Sequence, residues 1–329
     1  MPATSILPAS IMTCPEPPAA LAARRYLSWN DLTRARHGGR VQKISVAAGF
    51  TCPNRDGSKG RGGCTFCNNQ GFVPGYLREC NDDIGLQINT GMRFLQRRYP
   101  ETRRWLAYFQ AYSNTYADLA RLRLAYETAL AHPGIDGLVI GTRPDCVADE
   151  LLDYLHELSQ RAIIELELGI ESTDDATLAR INRGHDFACS ADAVRRAAAR
   201  GLPVTGHLIF GLPGESRESM LAGAASLSAL PLAALKCHQL QIVKGTQLAN
   251  DWRRDPATVP VLDSETYLQL LADFLERLRP DIAIQRVGSE VPPALRLAPA
   301  SSTRLAQLAP RLTATLAARN SWQGKYWRQ

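Results

Sequence analysis

From about residue 40 onward, short runs rich in β-branched and aromatic residues alternate with longer stretches whose apolar positions recur every three or four residues. The short runs predict strands at 42–47, 105–110, 137–140, 163–168, 204–210 and 235–242. The longer stretches predict helices at 82–99, 116–131, 149–160, 174–181 continuing with 190–200, and 216–229. A strand that is regularly followed by a helix is the pattern of βα units around a parallel sheet. Six such units are legible. Beyond them, 264–278 reads as a helix and 282–286 as one extra strand. Residues 303–319 place Leu305, Leu308, Leu312 and Leu316 on one helical face, with Pro310 expected to kink or split that helix. Residues 1–22, with five prolines among small residues and no periodic apolar face, read as a flexible leader. The expected organisation is a leader at 1–24, a core at 25–250, and a helical C-terminal extension at 251–329 that carries the extra strand.

Polar and glycine-rich segments follow the strands consistently, at 48–55, 111–115, 141–145, 169–172 and 211–215. In a parallel βα barrel these are the loops at the carboxyl ends of the strands, where active sites are built. The candidate chemistry is thereby gathered at one end of the molecule.

The chain has 329 residues, 45% of them hydrophobic and 21% charged. That suits one barrel-sized unit, commonly about 250 residues, with appendages. No apolar run approaches the ~18 residues that cross a bilayer, and the start lacks a basic region followed by an apolar stretch. A cytoplasmic protein without membrane contact is expected. Eight cysteines are too sparse for a secreted disulfide scaffold, so they read as ligands, core residues or redox groups. The net charge of +6 is uneven: residues 1–104 carry 15 Lys/Arg against 7 Asp/Glu, and the remainder 23 against 25. Such a basic third is either a solvated surface or an attraction for nucleic acid or another anion.

Shortly after the first predicted strand comes Cys52-Pro-Asn-Arg-Asp-Gly-Ser-Lys-Gly-Arg-Gly-Gly-Cys64-Thr-Phe-Cys67. Thiolate sulfur suits iron-sulfur clusters and zinc, and the Cys-x2-Cys pair lets two sulfurs converge on one inorganic centre. Zinc would recruit Cys80 as a fourth ligand, but structural zinc usually draws on two short paired motifs and no second Cys-x2-Cys exists. Three cysteines on a 4Fe-4S cluster leave one iron open to a cofactor's amino and carboxylate groups.

The cluster loop is followed in order by Tyr108-Phe-Gln-Ala-Tyr-Ser113, Gly141-Thr-Arg-Pro-Asp-Cys146, Glu167-Leu-Gly-Ile-Glu-Ser172, Asn182-Arg-Gly-His-Asp-Phe-Ala-Cys189 and His207-Leu-Ile-Phe-Gly-Leu-Pro-Gly-Glu215. This series resembles the YhcC-like radical S-adenosylmethionine (SAM) family, in the elongator-like branch of that superfamily, from about Arg25 to Gly324. Its Cys-x11-Cys-x2-Cys spacing matches that family. The resemblance implies a partial, open (βα)6 TIM-like barrel with N- and C-terminal extensions. It also implies a 4Fe-4S cluster on Cys52, Cys64 and Cys67 that reductively cleaves SAM to a 5'-deoxyadenosyl radical. A reductant such as flavodoxin or ferredoxin would be needed, and the wider relatives include enzymes that act on tRNA, so RNA is one class of substrate.

The same resemblance gives roles to further residues. Phe66 would contact the adenine or shield the cluster. Gln110, Tyr112 and Ser113 stand where many relatives carry a glycine-rich segment for the SAM amino group, although the glycines are absent. Glu171 and Ser172 match the position that binds ribose hydroxyls, and Arg183 would pair with the SAM carboxylate. Gly211 and Glu215 belong to a turn that either approaches the adenine or is a barrel turn with no ligand. Cys146 and Cys189 are candidate catalytic thiols or inert buried cysteines. His185, His207 and His238 can face a substrate, and Lys236 and Lys244 lie at either end of the sixth predicted strand. Alternation puts Lys236, His238 and Leu240 on one face, without saying which face is inward. The stretch from Trp322 to Trp327 would stack a base or close the barrel. The competing reading is a nucleic-acid-binding protein whose iron-sulfur or zinc site is purely structural.

Overall fold

The computed structural model describes residues 16–69, 74–80, 83–300 and 303–328. The chain runs α1 (Trp29–His37), β1 (Arg40–Val46), α2 (Ile84–Arg98), β2 (Thr102–Phe109), α3 (Leu119–Leu130), β3 (Gly137–Thr142), α4 (Asp149–Ser159), β4 (Ile163–Glu171), α5 (Asp175–Arg180), α6 (Phe187–Ala199), β5 (Val204–Phe210), α7 (Arg217–Ser228) and β6 (Ala234–Gln239). It continues through β7 (Ile242–Val243), α8 (Gln247–Arg254), α9 (Ser264–Arg277), β8 (Ala283–Arg286), β9 (Arg296–Ala298) and α10 (Leu305–Ala318).

Seven strands form one parallel sheet in the order β1-β2-β3-β4-β5-β6-β8. The extra strand expected at 282–286 is therefore the seventh stave of the main sheet. The barrel is open, because β1 and β8 are its two edges. Between them runs the chain ahead of α1: Ser28 bridges Ile284, whose amide donates to the Leu27 carbonyl at 2.7 Å.

Alternation along β4 shows how the sequence sets the two faces. Ile164, Leu166, Leu168 and Ile170 pack into the hydrophobic core beneath the helices, while Glu167, Gly169 and Glu171 line the barrel interior. Gly137 is required where β3 meets β4, since a Cβ there would stand 2.0 Å from the Ile163 carbonyl oxygen.

Several expectations are revised. Helix α1 was not anticipated, although Ser28 caps it and Gly38 ends it at φ +67°. The run expected at 235–242 divides into β6 and β7, and β7 pairs antiparallel with β9 in a second, two-stranded sheet. Helix α10 passes through Pro310 unbroken: Ala306 and Pro310 are exposed, so the missing hydrogen bond falls on the solvent side, while Leu308, Leu312 and Leu316 are buried. Packing begins earlier than Arg25, since Leu21 is fully buried in a small cluster with Leu27, Ala283 and Trp322. Gln323 explains that closure. Its amide accepts from the Leu27 N–H at 3.0 Å and donates to the Arg279 and Ile282 carbonyls at 2.9 and 2.8 Å. The stretch from Trp322 thus seals the amino-terminal end of the barrel. Cys14 and most of the leader lie outside the described residues.

Candidate active site

A cavity of about 260 Å³ occupies the carboxyl end of the barrel. Cys52, Cys64 and Cys67 line it, together with Phe66, Gln110, Tyr112, Ser113, Glu171 and Arg183. The loop carrying the cysteines turns on Gly57, Gly62 and Gly63, all at positive φ; at Gly63 (φ +82°) a Cβ would also collide with the Arg55 side chain at 2.9 Å. The loop is latched to the segment after α5. Asn182 donates from its side chain to the Gly63 carbonyl at 2.9 Å, Asn54 donates to the Asn182 carbonyl at 2.5 Å, and the Thr65 amide donates to the Ile181 carbonyl at 3.0 Å. Burial, with Cys64 close by, pushes the Cys67 thiol up to about 11.

Arg183 reaches from this latch to the sulfur. Its Nη1 lies 3.5 Å from Cys64 Sγ, its Nη2 donates to the Gly169 carbonyl at 2.5 Å, and Glu171 stands 3.7 Å away. Burial opposes its charge, but Cys64 and Glu171 outweigh that and hold it charged above the ordinary range. Tyr112, Glu171 and Asn182 all adopt left-handed backbone (φ 63°, 69° and 53°), which costs about 1–3 kcal/mol each and concentrates at functional sites.

The donor set fits a cluster with a cofactor beside it. Three soft sulfurs share one cavity wall, and no three Cys, His, Asp or Glu side chains among the described residues converge tightly enough for a single ion. Around them Ser113 Oγ, Arg143 Nη1 and Arg183 Nε are buried polar atoms without partners. Cys80 stands apart from this cavity. It is 3% exposed, and its thiol donates to the Tyr76 carbonyl at 3.1 Å, so it does not complete a four-thiolate site.

Other expected site residues are placed elsewhere. Ser172 donates to Glu215 at 2.5 Å, and the two border a separate small cavity against α7; burial, opposed by Ser172, pushes the Glu215 carboxyl up to about 7. Gly211 forms a turn at φ +87° against Leu262 and does not line the main cavity. Cys146 and Cys189 do not line it either. Burial and then Asp145 push the Cys146 thiol up to about 12 and raise that of Cys189, which is the opposite of thiol activation. His185 lies outside the cavity and Lys244 is exposed.

The inward face of β6 is the one with Lys236 and His238, and there these two and His207, all named from the sequence, meet a charged floor centred on Glu167, which the sequence did not single out. Glu167 is fully buried (0% exposed) and accepts from Lys43 at 2.8 Å, Tyr108 at 2.6 Å, His207 at 2.9 Å and Lys236 at 2.5 Å. Lys43 also reaches Glu165 at 3.0 Å. Against the cost of burial, Lys236, Lys43 and His207 hold the Glu167 carboxyl well below its ordinary range. Burial, offset by Glu167 and reinforced by Lys43, brings the Lys236 ammonium down to about 8. Glutamates at alternate positions of an otherwise apolar strand were the available signal.

Comparison with known proteins agrees with this geometry. The Radical SAM superfamily model matches residues 56–223 and the Radical_SAM C-terminal domain model matches 232–312. The protein YtqA of Bacillus subtilis is 33% identical over 312 residues, covering 95% of this chain and 96% of its own. Protein YhcC of Escherichia coli is 39% identical over 270 residues, covering 82% and 84%. A tRNA uridine(34) acetyltransferase of Dehalococcoides mccartyi is 30% identical over 159 residues, 47% of this chain and 34% of its own. Among solved structures, the Elp3 protein of Methanocaldococcus infernus aligns with a TM-score of 0.65 at 16% identity, covering 86% of this chain and 64% of that one, which supports the fold. Among the described residues no helix is long and apolar enough to cross a membrane. The chain belongs to the YhcC and YtqA family of the radical SAM superfamily, and is a radical SAM enzyme that works with a 4Fe-4S cluster and SAM.

Proposed function

We propose that Cys52, Cys64 and Cys67 hold the cluster, that SAM lies between them and the Arg183–Glu171 pair, and that the substrate occupies the charged floor. The observation that carries this reading is the meeting of three thiols and a buried, charge-bearing Arg183 on one cavity. When bound, the cluster and SAM supply a one-electron cleavage of the SAM carbon-sulfur bond, yielding a 5'-deoxyadenosyl radical that takes a hydrogen atom from the substrate.

The chain's own residues position and protect. Arg183 offers a planar fork to a carboxylate while its other nitrogen stays on Gly169. Glu171 accepts from hydroxyl groups such as those of a ribose. Phe66 presents an aromatic face to an adenine. Gln110, held by a 3.3 Å contact with Ser45, and Ser113, whose hydroxyl has no partner, line the same wall and supply polar contacts for an amino group. An external donor such as flavodoxin or ferredoxin provides the electron.

RNA is the second reading for the substrate. It draws on the 159-residue similarity to the tRNA-modifying relative and on the basic first third. Much of that charge, including Arg36, Arg97, Arg98, Arg103 and Arg104, lies at the starts of β1 and β2 and the ends of α1 and α2, at the amino-terminal end of the barrel. It therefore does not direct an RNA into the cavity.

The test is iron and sulfide content after anaerobic reconstitution. Replacing Cys52, Cys64 or Cys67 by Ala should abolish a stable cluster, whereas Cys80→Ala should keep full loading. Equal loading in all four variants would reject the assignment.

A further inference from the structure

Five basic side chains line the main cavity, and four of them are tied down. Arg55 donates to the Cys67 carbonyl at 2.8 Å, Arg143 forks onto Asp145 at 2.8 and 3.0 Å, Arg183 holds Gly169, and Lys236 holds Glu167. Arg286, on β8, makes no hydrogen bond and no ion pair with any described residue. Glu167, Glu290 and Tyr108 are near enough to influence it electrostatically, but none is in contact, and burial lowers its affinity for the proton. A guanidinium stays charged in a protein and carries five donors in a rigid fork. Half-buried and facing the cavity, that fork is open to a ligand that matches it.

Its neighbours point the same way. Arg286 pairs in register with Lys236 across β6 and β8. Two residues along β6 on the same face, His238 also lines the cavity without a hydrogen-bond partner, its ring 5.6 Å from that of His207. Burial and the neighbouring His207 keep His238 neutral, so it can donate a single N–H. The floor carries the cations Lys43, Lys236 and Arg286 against the anions Glu165 and Glu167, while Glu290 is exposed at the rim. Lys43 and Lys236 are each in contact with a carboxylate, whereas Arg286 has none in contact.

We infer that Arg286, flanked by Lys236 and His238, is a subsite that anchors an anionic group of the substrate, a carboxylate or a phosphate. This rests on the enzyme reading above and deepens it by naming the substrate class. An acid group held on the fork of Arg286 fixes one end of the substrate on the floor, and the carbon–hydrogen bond to be broken then lies toward the cysteine-lined wall. Neutral substrates would leave Arg286 unmatched and are disfavoured.

The experiment titrates reconstituted protein, with saturating SAM, with malonate and separately with inorganic phosphate, following the melting temperature of wild type, Arg286→Gln and Arg286→Lys. Iron content and the melting temperature without anion establish that each variant is folded and loaded. Wild type should show a saturable rise with at least one anion, which Arg286→Gln loses and Arg286→Lys retains at about tenfold higher concentration, since Lys keeps the charge but not the fork. A response to malonate alone assigns a carboxylate; a response to phosphate alone assigns a phosphoryl group. The inference is overturned by an equal rise in Arg286→Gln, by no saturable rise with either anion, or by a rise that appears only when SAM is omitted. Failure of wild type to cleave SAM counts instead against the enzyme reading, because anion binding is read without turnover.

Discussion

Replacing Glu167 by Gln tests the charged floor directly. Four donors converge on this carboxylate, two of them ammonium groups, and it has no exposure to solvent. Gln keeps the shape but brings an NH2 group toward either Lys43 or the Tyr108, His207 and Lys236 trio. Lys43 retains Glu165, whereas Lys236 loses its only carboxylate. Breaking a buried pair in this way costs about 3–5 kcal/mol, against a total stability of about 5–15 kcal/mol for a typical protein. For a chain of this size that is a fall in melting temperature of about 5–10 °C. The assay is thermal melting of reconstituted protein at matched iron content. Lys236→Met should cost less, because Glu167 keeps Lys43, and the double variant should be less destabilised than the sum of the two singles. The pH dependence follows in sign. The folded Glu167 carboxyl is held below its unfolded value, so its contribution is present above that value and is lost as pH falls through the folded one; the variant's acid limb should be flatter. A shift under about 2 °C, or strict additivity in the double variant, would refute the reasoning, since neither is compatible with a desolvated, coupled network.

Gly137→Ala should destabilise by about 3 kcal/mol or more, as its Cβ meets the backbone of β4 rather than a movable side chain; urea unfolding beside a Gly38→Ala control, where no atom lies within 4 Å but φ is positive, separates collision from strain. Glu215 titrates at about 7 when folded, above its unfolded value, so the folded state holds the extra proton and stability falls as pH rises from about 4.5 to about 7. Glu215→Gln should abolish that slope in melting temperature, and an unchanged slope would exclude Glu215 as its source. Arg183→Lys should weaken SAM binding by at least tenfold through loss of the fork, measured by equilibrium dialysis; unaltered affinity would remove Arg183 from the cofactor site.

Much of the fold was legible because each strand and helix carries its own period. Val204–Phe210 is recovered to the residue, and α4, α7 and α9 to within one residue at each end. What escaped depends on contacts distant in sequence. Whether Ala283–Arg286 joins the main sheet depends on β6, and β7 owes its existence to β9. The site divides in the same way. Cysteine spacing marked Cys52, Cys64 and Cys67, and all three line the cavity because one local loop carries them there. Ser172 and Glu215, by contrast, sit away from the cavity because the alternation along β4 keeps Glu171 on the inward face and puts Ser172 on the outer one, where it meets Glu215 beside α7. The floor needed three dimensions altogether: Lys43, Tyr108, Glu167, His207, Lys236 and Arg286 come from six strands, and only the closing of the sheet brings them to one point.

The most direct measurement is anaerobic reconstitution with iron and sulfide, reduction with dithionite in the presence of SAM, and chromatographic detection of 5'-deoxyadenosine beside Cys64→Ala and Cys80→Ala. Product from wild type and Cys80→Ala but none from Cys64→Ala is the predicted result. A fully loaded wild-type cluster that never yields 5'-deoxyadenosine would contradict the account and leave a structural iron-sulfur site in its place.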